Sequence, residues 1–186
     1  MINKYSLCFQ PDETTIDVVK QMKLKLAEAI GWYNSKNALA HITIVEFKSD
    51  STGINKMAAL VEQLCATYQP VKVTLDHFGQ YPNGAFFLGV DPFSKPILQD
   101  YAKNIQARIT VPNSYKNSEP HLSIARKLNT EKLSIAQSTF DQPAISFICE
   151  QVALRQFNPE RGQYDIISIF PFLNLPSSEP EQLSLF

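Results

Sequence analysis

The sequence predicts an α+β fold in which amphipathic helices alternate with short, antiparallel strands. Apolar residues recur at helical spacings in three segments, and they alternate or run unbroken over short stretches in between. Hairpin-like turns and short linkers join those stretches, which favours antiparallel pairing over a doubly wound parallel sheet. The order strand–helix–strand–helix occurs twice, around residues 40–47 and around 121–126, so two similar lobes are expected.

In chain order, residues 5–9 read as a strand closed by Pro11-Asp12. Ile16, Val19, Met22, Leu26, Ala29 and Ile30 form one helical stripe, with Gly31 where a C-terminal cap belongs. A strand at 40–47 is followed by a helix carrying Ile54, Met57, Leu60, Val61, Leu64 and Tyr68, entered through Asp50-Ser51-Thr52-Gly53. Val71, Val73 and Leu75 alternate with Lys72, Thr74 and Asp76, and Tyr81-Pro82-Asn83-Gly84 turns that strand into an apolar one at 85–90. Ser94 and Pro96 open a third helix through Ile97, Leu98, Tyr101, Ile105 and Ile109. A polar loop at 112–120, a strand at 121–126 and a helix at 130–140 come next. Strands at 145–157 and 164–170 close the body around Asn158-Pro159-Glu160-Arg161-Gly162.

At 186 residues the chain suits one domain, or two small lobes sharing one core. Its 17 basic and 18 acidic residues create no global field for a polyanion, so nucleic-acid contact requires a local patch. Cys8, Cys65 and Cys149 lie far apart in apolar surroundings, which reads as buried thiols in a cytoplasmic protein rather than zinc ligands or disulfides. No metal or cofactor is expected. Neither the first residues nor the interrupted apolar run at 166–173 suits a signal peptide or a membrane span, so no membrane partner is expected.

Two of the three histidines sit in matching tetrapeptides, His41-Ile42-Thr43-Ile44 and His121-Leu122-Ser123-Ile124, 80 residues apart. Strand residues i and i+2 share a face, so each histidine shares one with its hydroxyl partner while the aliphatic residues enter the core. Lobes facing each other would bring two imidazoles and two hydroxyls to one cleft. That set suits in-line cleavage of a phosphodiester: one imidazole takes the proton of the attacking oxygen, the other protonates the leaving oxygen, and the hydroxyls bond the non-bridging oxygens. A single His-x-Thr is more often structural; two in a repeated element order are a different matter.

These motifs, with Glu119-Pro120 before and Ala125-Arg126 after the second, resemble the two-histidine phosphoesterases, the superfamily of bacterial RNA 2′,3′-cyclic phosphodiesterases, also called 2′-5′ RNA ligases. The resemblance implies a bilobal fold of two antiparallel sheets with pseudo-two-fold symmetry, a central cleft and helices outside. It implies His41 and His121 as the acid–base pair, Thr43 and Ser123 as phosphate ligands, and Arg126 as a further substrate contact. Simple alternation, however, places Arg126 on the side of Leu122 and Ile124. Glu46-Phe47-Lys48 also departs from the Phe-Leu-Gly-like run frequent in the bacterial RNA enzymes. The expected substrate is an RNA end or a small nucleotide ester. The alternatives are a non-catalytic nucleotide- or RNA-end-binding module and a replication or repair accessory.

His77, beside Asp76, reads as a surface or pairing residue more readily than as a third catalytic group. Phe47, Tyr81, Tyr115 and Phe157 could stack a base, although core packing explains each one singly. Lys116, Arg126, Lys127, Arg155 and Arg161 are candidates for the local basic patch. Residues 1–175 read as the two-lobed domain and 176–186 as a tail of linker composition. Within the tail, Gln182, Leu183, Leu185 and Phe186 form Gln-Leu-Ser-Leu-Phe, similar to the pentapeptide by which bacterial proteins bind the DNA polymerase sliding clamp.

Overall fold

The computed structural model describes residues 2–176. The tail residues Gln182, Leu183, Leu185 and Phe186 lie outside the described residues. Within the described residues, nine strands and four helices follow in the order β1 (Asn3–Phe9), α1 (Glu13–Ile30), β2 (Ile42–Ser49), α2 (Ser51–Thr67), β3 (Val71–Tyr81), β4 (Ala85–Val90), α3 (Ser94–Arg108), β5 (Tyr115–Lys116), β6 (His121–Ala125), α4 (Thr130–Thr139), β7 (Ile145–Cys149), β8 (Gln151–Asn158) and β9 (Gln163–Pro171).

Three of the four helices, α1, α2 and α4, start where short polar side chains satisfy the free N–H groups of a first turn. Asp12 accepts from Thr15 N at 2.7 Å, Asp50 from Gly53 N at 2.7 Å, and Asn129 from Lys132 N at 2.9 Å. Gly31, at φ 75°, ends α1 in the left-handed region that a side chain would disfavour.

All strand pairs are antiparallel, in the order β7-β3-β4-β6-β2-β1-β8-β9, with β5 added beside β2. The two expected sheets are the halves β7-β3-β4-β6 and β2-β1-β8-β9, joined into one ladder through the register pair Ile42↔Leu122. Those residues hold the same place in the two tetrapeptides, so the pseudo-two-fold relation runs between them. It maps β1-α1-β2-α2 onto β4-α3-β6-α4.

The expected single strand at 145–157 is two strands in opposite halves. Chain direction breaks at Glu150, whose carbonyl accepts from Phe172 N at 2.8 Å. β7 and β8 are separated by that one residue, yet six strand spacings lie between them along the ladder. Laid flat, that is roughly 29 Å at ~4.8 Å per spacing, whereas two residues of chain reach only about 7 Å. The ladder therefore curls into an antiparallel half-barrel. Its convex side carries the helices and its concave side the motif side chains; α1 reaches across to β6 and β7, and α3 to β2. The loop expected at 112–120 also contributes β5, which pairs Val45↔Lys116 and Glu46↔Tyr115.

Candidate active site

Alternation places the two motifs as expected at their starts. Ile42, Ile44, Leu122 and Ile124 are buried under the helices, while His41, Thr43, His121 and Ser123 are half-buried on the concave side. Further along, both strands break the alternation at the same place. β1 pairs Leu7↔Val45 and then Cys8↔Thr43, leaving Ile44 as an extra residue. β4 pairs Phe86↔Ala125 and then Phe87↔Ser123, leaving Ile124 as its counterpart. Each bulge buries two consecutive residues and returns the next one to the cleft. That is why Arg126 lines the cleft with Ser123 although strict alternation assigns it to the core side. The same device puts Glu46 in the position equivalent to Arg126.

The imidazoles are oriented identically. His41 Nδ1 lies 2.6 Å from the carbonyl of Leu39, and His121 Nδ1 lies 2.7 Å from that of Glu119. A carbonyl only accepts, so each Nδ1 carries the proton and each Nε2 is left for chemistry. Burial, then the positive charge of Arg155 and, more weakly, of Arg126 and Lys23, hold His41 well below the usual imidazole range. Burial also lowers His121, but there the Glu119 carbonyl and carboxylate favour the proton and only Arg126 opposes it.

Two adjoining pockets make up the cleft, with Glu46, Ser123 and Arg126 in the wall of both. The one on the His121 side, about 490 Å³, is lined by Thr43, Tyr81, Asn117, Tyr115 and Lys127. Phe87 and Tyr81 pack on the His121 ring with centroids 4.7 and 5.4 Å away. The one on the His41 side, about 160 Å³, is lined by Lys23, Ser35, Arg155, Phe157 and Tyr164.

The other candidates divide. Phe47 is buried against Tyr5, Lys116 donates to the Gln106 carbonyl at 2.8 Å, and Arg161 pairs with Asp165. His77 bonds Asp76 at 2.5 Å and lines neither pocket. Among the described residues, no group of three or more His, Cys, Asp or Glu is placed to hold a metal ion. None of the helices in that region is long and apolar enough to cross a membrane.

Sequence reasoning missed Asn117 and Gln106. The Asn117 amide donates to the carbonyls of Thr43 (3.1 Å) and Glu119 (3.0 Å), and the Gln106 amide to those of Ile44 (2.9 Å) and Asn117 (2.8 Å). Together they tie the loop before β6 to the first motif. Lys23 and Ser35 were missed too, although Lys23 stands four residues after Val19 on the buried stripe of α1, an unusual place for a lysine.

A curled antiparallel sheet with two histidine–hydroxyl pairs facing one cleft defines a phosphoesterase-like class of fold. A family model described as the 2′-5′ RNA ligase superfamily matches residues 11–160, and the chain belongs to that family. TT0787 of Thermus thermophilus superposes with a TM-score of 0.67 at 15% identity, covering 93% of this chain and 100% of its own. LigT of Escherichia coli, complexed with NADP+, gives 0.66 at 13%, covering 93% and 99%. Usb1 of Kluyveromyces marxianus gives 0.56 at 11%, covering 91% and 97%. No curated protein matches the sequence.

Proposed function

We propose that this protein is a metal-independent phosphodiesterase that opens 2′,3′-cyclic phosphate ends of RNA or a related nucleotide ester. The observation that carries this reading is the symmetric pair of imidazoles, each with Nδ1 committed to a carbonyl and Nε2 free, beside two hydroxyls on one concave face. LigT, a structural neighbour, has been crystallised with phosphate, 3′-AMP and ATP, which is consistent with a nucleotide in such a cleft.

In this mechanism His41, ringed by cations and held neutral, is the base: its Nε2 takes a proton from water as the water oxygen bonds to phosphorus. His121 is the acid and gives its Nε2 proton to the ribose oxygen whose bond to phosphorus breaks, leaving a phosphomonoester. Thr43, Ser123 and Arg126 bond the non-bridging oxygens as charge gathers there. The pH profile of the coupled pair is bell-shaped. With a 5′-hydroxyl in the place of water, the same two roles join its oxygen to phosphorus as the ribose 3′-oxygen leaves and takes a proton, which is the 2′-5′ ligase reaction. Tyr81 and Tyr115 flank the nucleoside on the His121 side. Residues 1–175 act as the catalytic domain and 176–186 as a docking tail for the sliding clamp; the latter rests on the tail's sequence alone, and equal clamp binding with and without its last six residues would rule it out.

The experiment is hydrolysis of nucleoside 2′,3′-cyclic phosphates and cyclic-phosphate-ended RNA in excess EDTA, wild type beside His41→Ala, His121→Ala and the double variant. EDTA-resistant turnover lost in all three supports the reading, and turnover surviving in the double variant refutes it. Tight product binding with no turnover in the wild type would mark a nucleotide- or RNA-end-binding module instead.

A further inference from the structure

Among the described residues, the buried side-chain nitrogen and oxygen atoms without a hydrogen-bond partner are Ser35 Oγ and Arg155 Nε. Both residues line the same pocket beside His41. An unpaired buried donor is costly, and native proteins keep such atoms where something else binds them.

The surroundings say what that something is. Arg155 and Lys23 are each only 3% exposed, and both face this pocket together with Arg126. Cations are almost never buried this deeply without an anion. Here the one acidic residue in the wall is Glu46, against three positive groups. The contacts of Arg155 within the protein are weak neutralisers: Nη2 donates to Ser6 Oγ at 2.8 Å, the guanidinium lies 5.3 Å from the centre of the Tyr164 ring, and the uncharged Cys8 thiol stands beside it. Lys23 Nζ donates to the Ala38 carbonyl at 2.6 Å, and burial pushes its ammonium down to about 8. These groups are held in place before any ligand arrives.

We infer that the pocket lined by Lys23, Ser35 and Arg155 is a second anion subsite, which receives a phosphate group of the substrate other than the one being cleaved. The inference rests on the proposed phosphodiesterase reading and narrows it to substrates carrying two phosphates. The scissile phosphate lies between the histidines on Thr43, Ser123 and Arg126. The second phosphate takes Arg155 Nε–H, the Ser35 hydroxyl and the Lys23 ammonium. Either a terminal phosphomonoester or a backbone phosphodiester has the required oxygens.

The test compares kcat/KM for adenosine 2′,3′-cyclic phosphate, its 5′-phosphorylated form, and the dinucleotide ending in the same cyclic phosphate. At least one bisphosphorylated substrate is expected to exceed the simple one by about tenfold or more, the scale of one or two charge-assisted hydrogen bonds. Which of them gains identifies the monoester or the diester. In Arg155→Gln and in Ser35→Ala that ratio is expected to fall towards one. Ser35→Ala removes only a hydroxyl that has no partner, so it tests the subsite without threatening the fold. Calorimetric titration of the same proteins with inorganic phosphate gives an independent reading: two sites in the wild type, one of them lost in each variant. If no cyclic phosphate is hydrolysed, the reaction assigned above fails and the calorimetry alone decides the subsite. A ratio near one for both substrates, or a single phosphate site indifferent to both variants, overturns the proposal.

Discussion

The two halves of the cleft share a backbone plan and differ in what that plan displays. Neighbours across antiparallel strands point the same way, so each half can be followed as rows of side chains on the concave face. Starting from the bulge-displaced residue, the first half pairs Glu46, Ser6 and Arg155 across its strands, while in the second half Arg126 shares its pocket wall with Ala85 and Tyr81. Starting from the hydroxyl, the first shows Thr43, Cys8 and Ala153, and the second Ser123, Phe87 and Gly79. Symmetry is retained for the two histidine–hydroxyl pairs and abandoned one strand away. The first half becomes a charged pocket and the second an aromatic wall.

The largest break in that comparison comes from removing the shared part. His41→Ala and His121→Ala should each lower kcat/KM by about 10²–10⁴-fold, the usual worth of a positioned acid or base. The double variant should lose little more than either single one, because the two act in one step. A double loss equal to the product of the single losses would show that the imidazoles work independently.

The next break exchanges the unlike pair at matching positions. Arg126→Met removes a guanidinium from the walls of both pockets and should cost roughly 10–100-fold in kcat/KM, the range of one or two lost charge-assisted bonds. Glu46→Gln removes a carboxylate from the same walls without changing its shape, and should tighten inorganic phosphate by about threefold through relief of like-charge repulsion. Opposite signs at equivalent positions are the point. A Glu46→Gln variant that binds phosphate more weakly would mean that the carboxylate orients Arg155 or Arg126 rather than opposing the anion.

Much of this was legible in advance, and what was not has a physical cause. The helix stripes and Gly31 are local signals, and all four helices form where they were expected. The tetrapeptides declared their own faces because alternation in a strand needs no tertiary information. The bulges at Ile44 and Ile124 do need it, since an extra residue is defined only against a partner strand; without them Arg126 points the wrong way. The break at Glu150 was hidden for a similar reason. Continuous β-propensity says nothing about which half of a curled ladder each part will join. Lys23 left a trace as a cation on an apolar stripe, whereas Ser35 left none, for a turn serine is ordinary until the pocket around it is seen.

A smaller difference between the halves should appear in stability against pH. A histidine whose pKa is depressed in the folded protein binds its proton more readily when unfolded. The unfolded chain therefore gains protons first as pH falls below about 6.5, and the folded state loses stability from that point downward. Both motif histidines are depressed, His41 further than His121. Chemical denaturation between pH 7.5 and 5 should therefore show a wild-type decline that His41→Asn flattens more than His121→Asn does. Equal flattening would mean that the Lys23, Arg126 and Arg155 charges are screened from His41 in solution.

The smallest effect belongs to the third histidine and bears on whether the second half holds a hidden catalytic group. In the row through His121 come Gly89 and then His77, where the first half, one residue beyond Phe9↔Ile42, has Gln10 bonded to the Gln151 carbonyl. Gly89 has no side chain, and a Cβ there would run into the His77 ring, so that ring lies down over the bare backbone beside His121. Proximity along a row is not access. His77 is 56% exposed, its Nδ1 is engaged by Asp76 at 2.5 Å, and it lines neither pocket of the cleft. His77→Ala should leave kcat/KM within about twofold of wild type, as surface substitutions away from a site generally do. Gly89→Ala has to push that ring aside on its exposed flank, and should lower stability more than activity. A tenfold loss in His77→Ala, with the bell-shaped profile shifted on one limb, would instead place Asp76 and His77 in the proton path to His121.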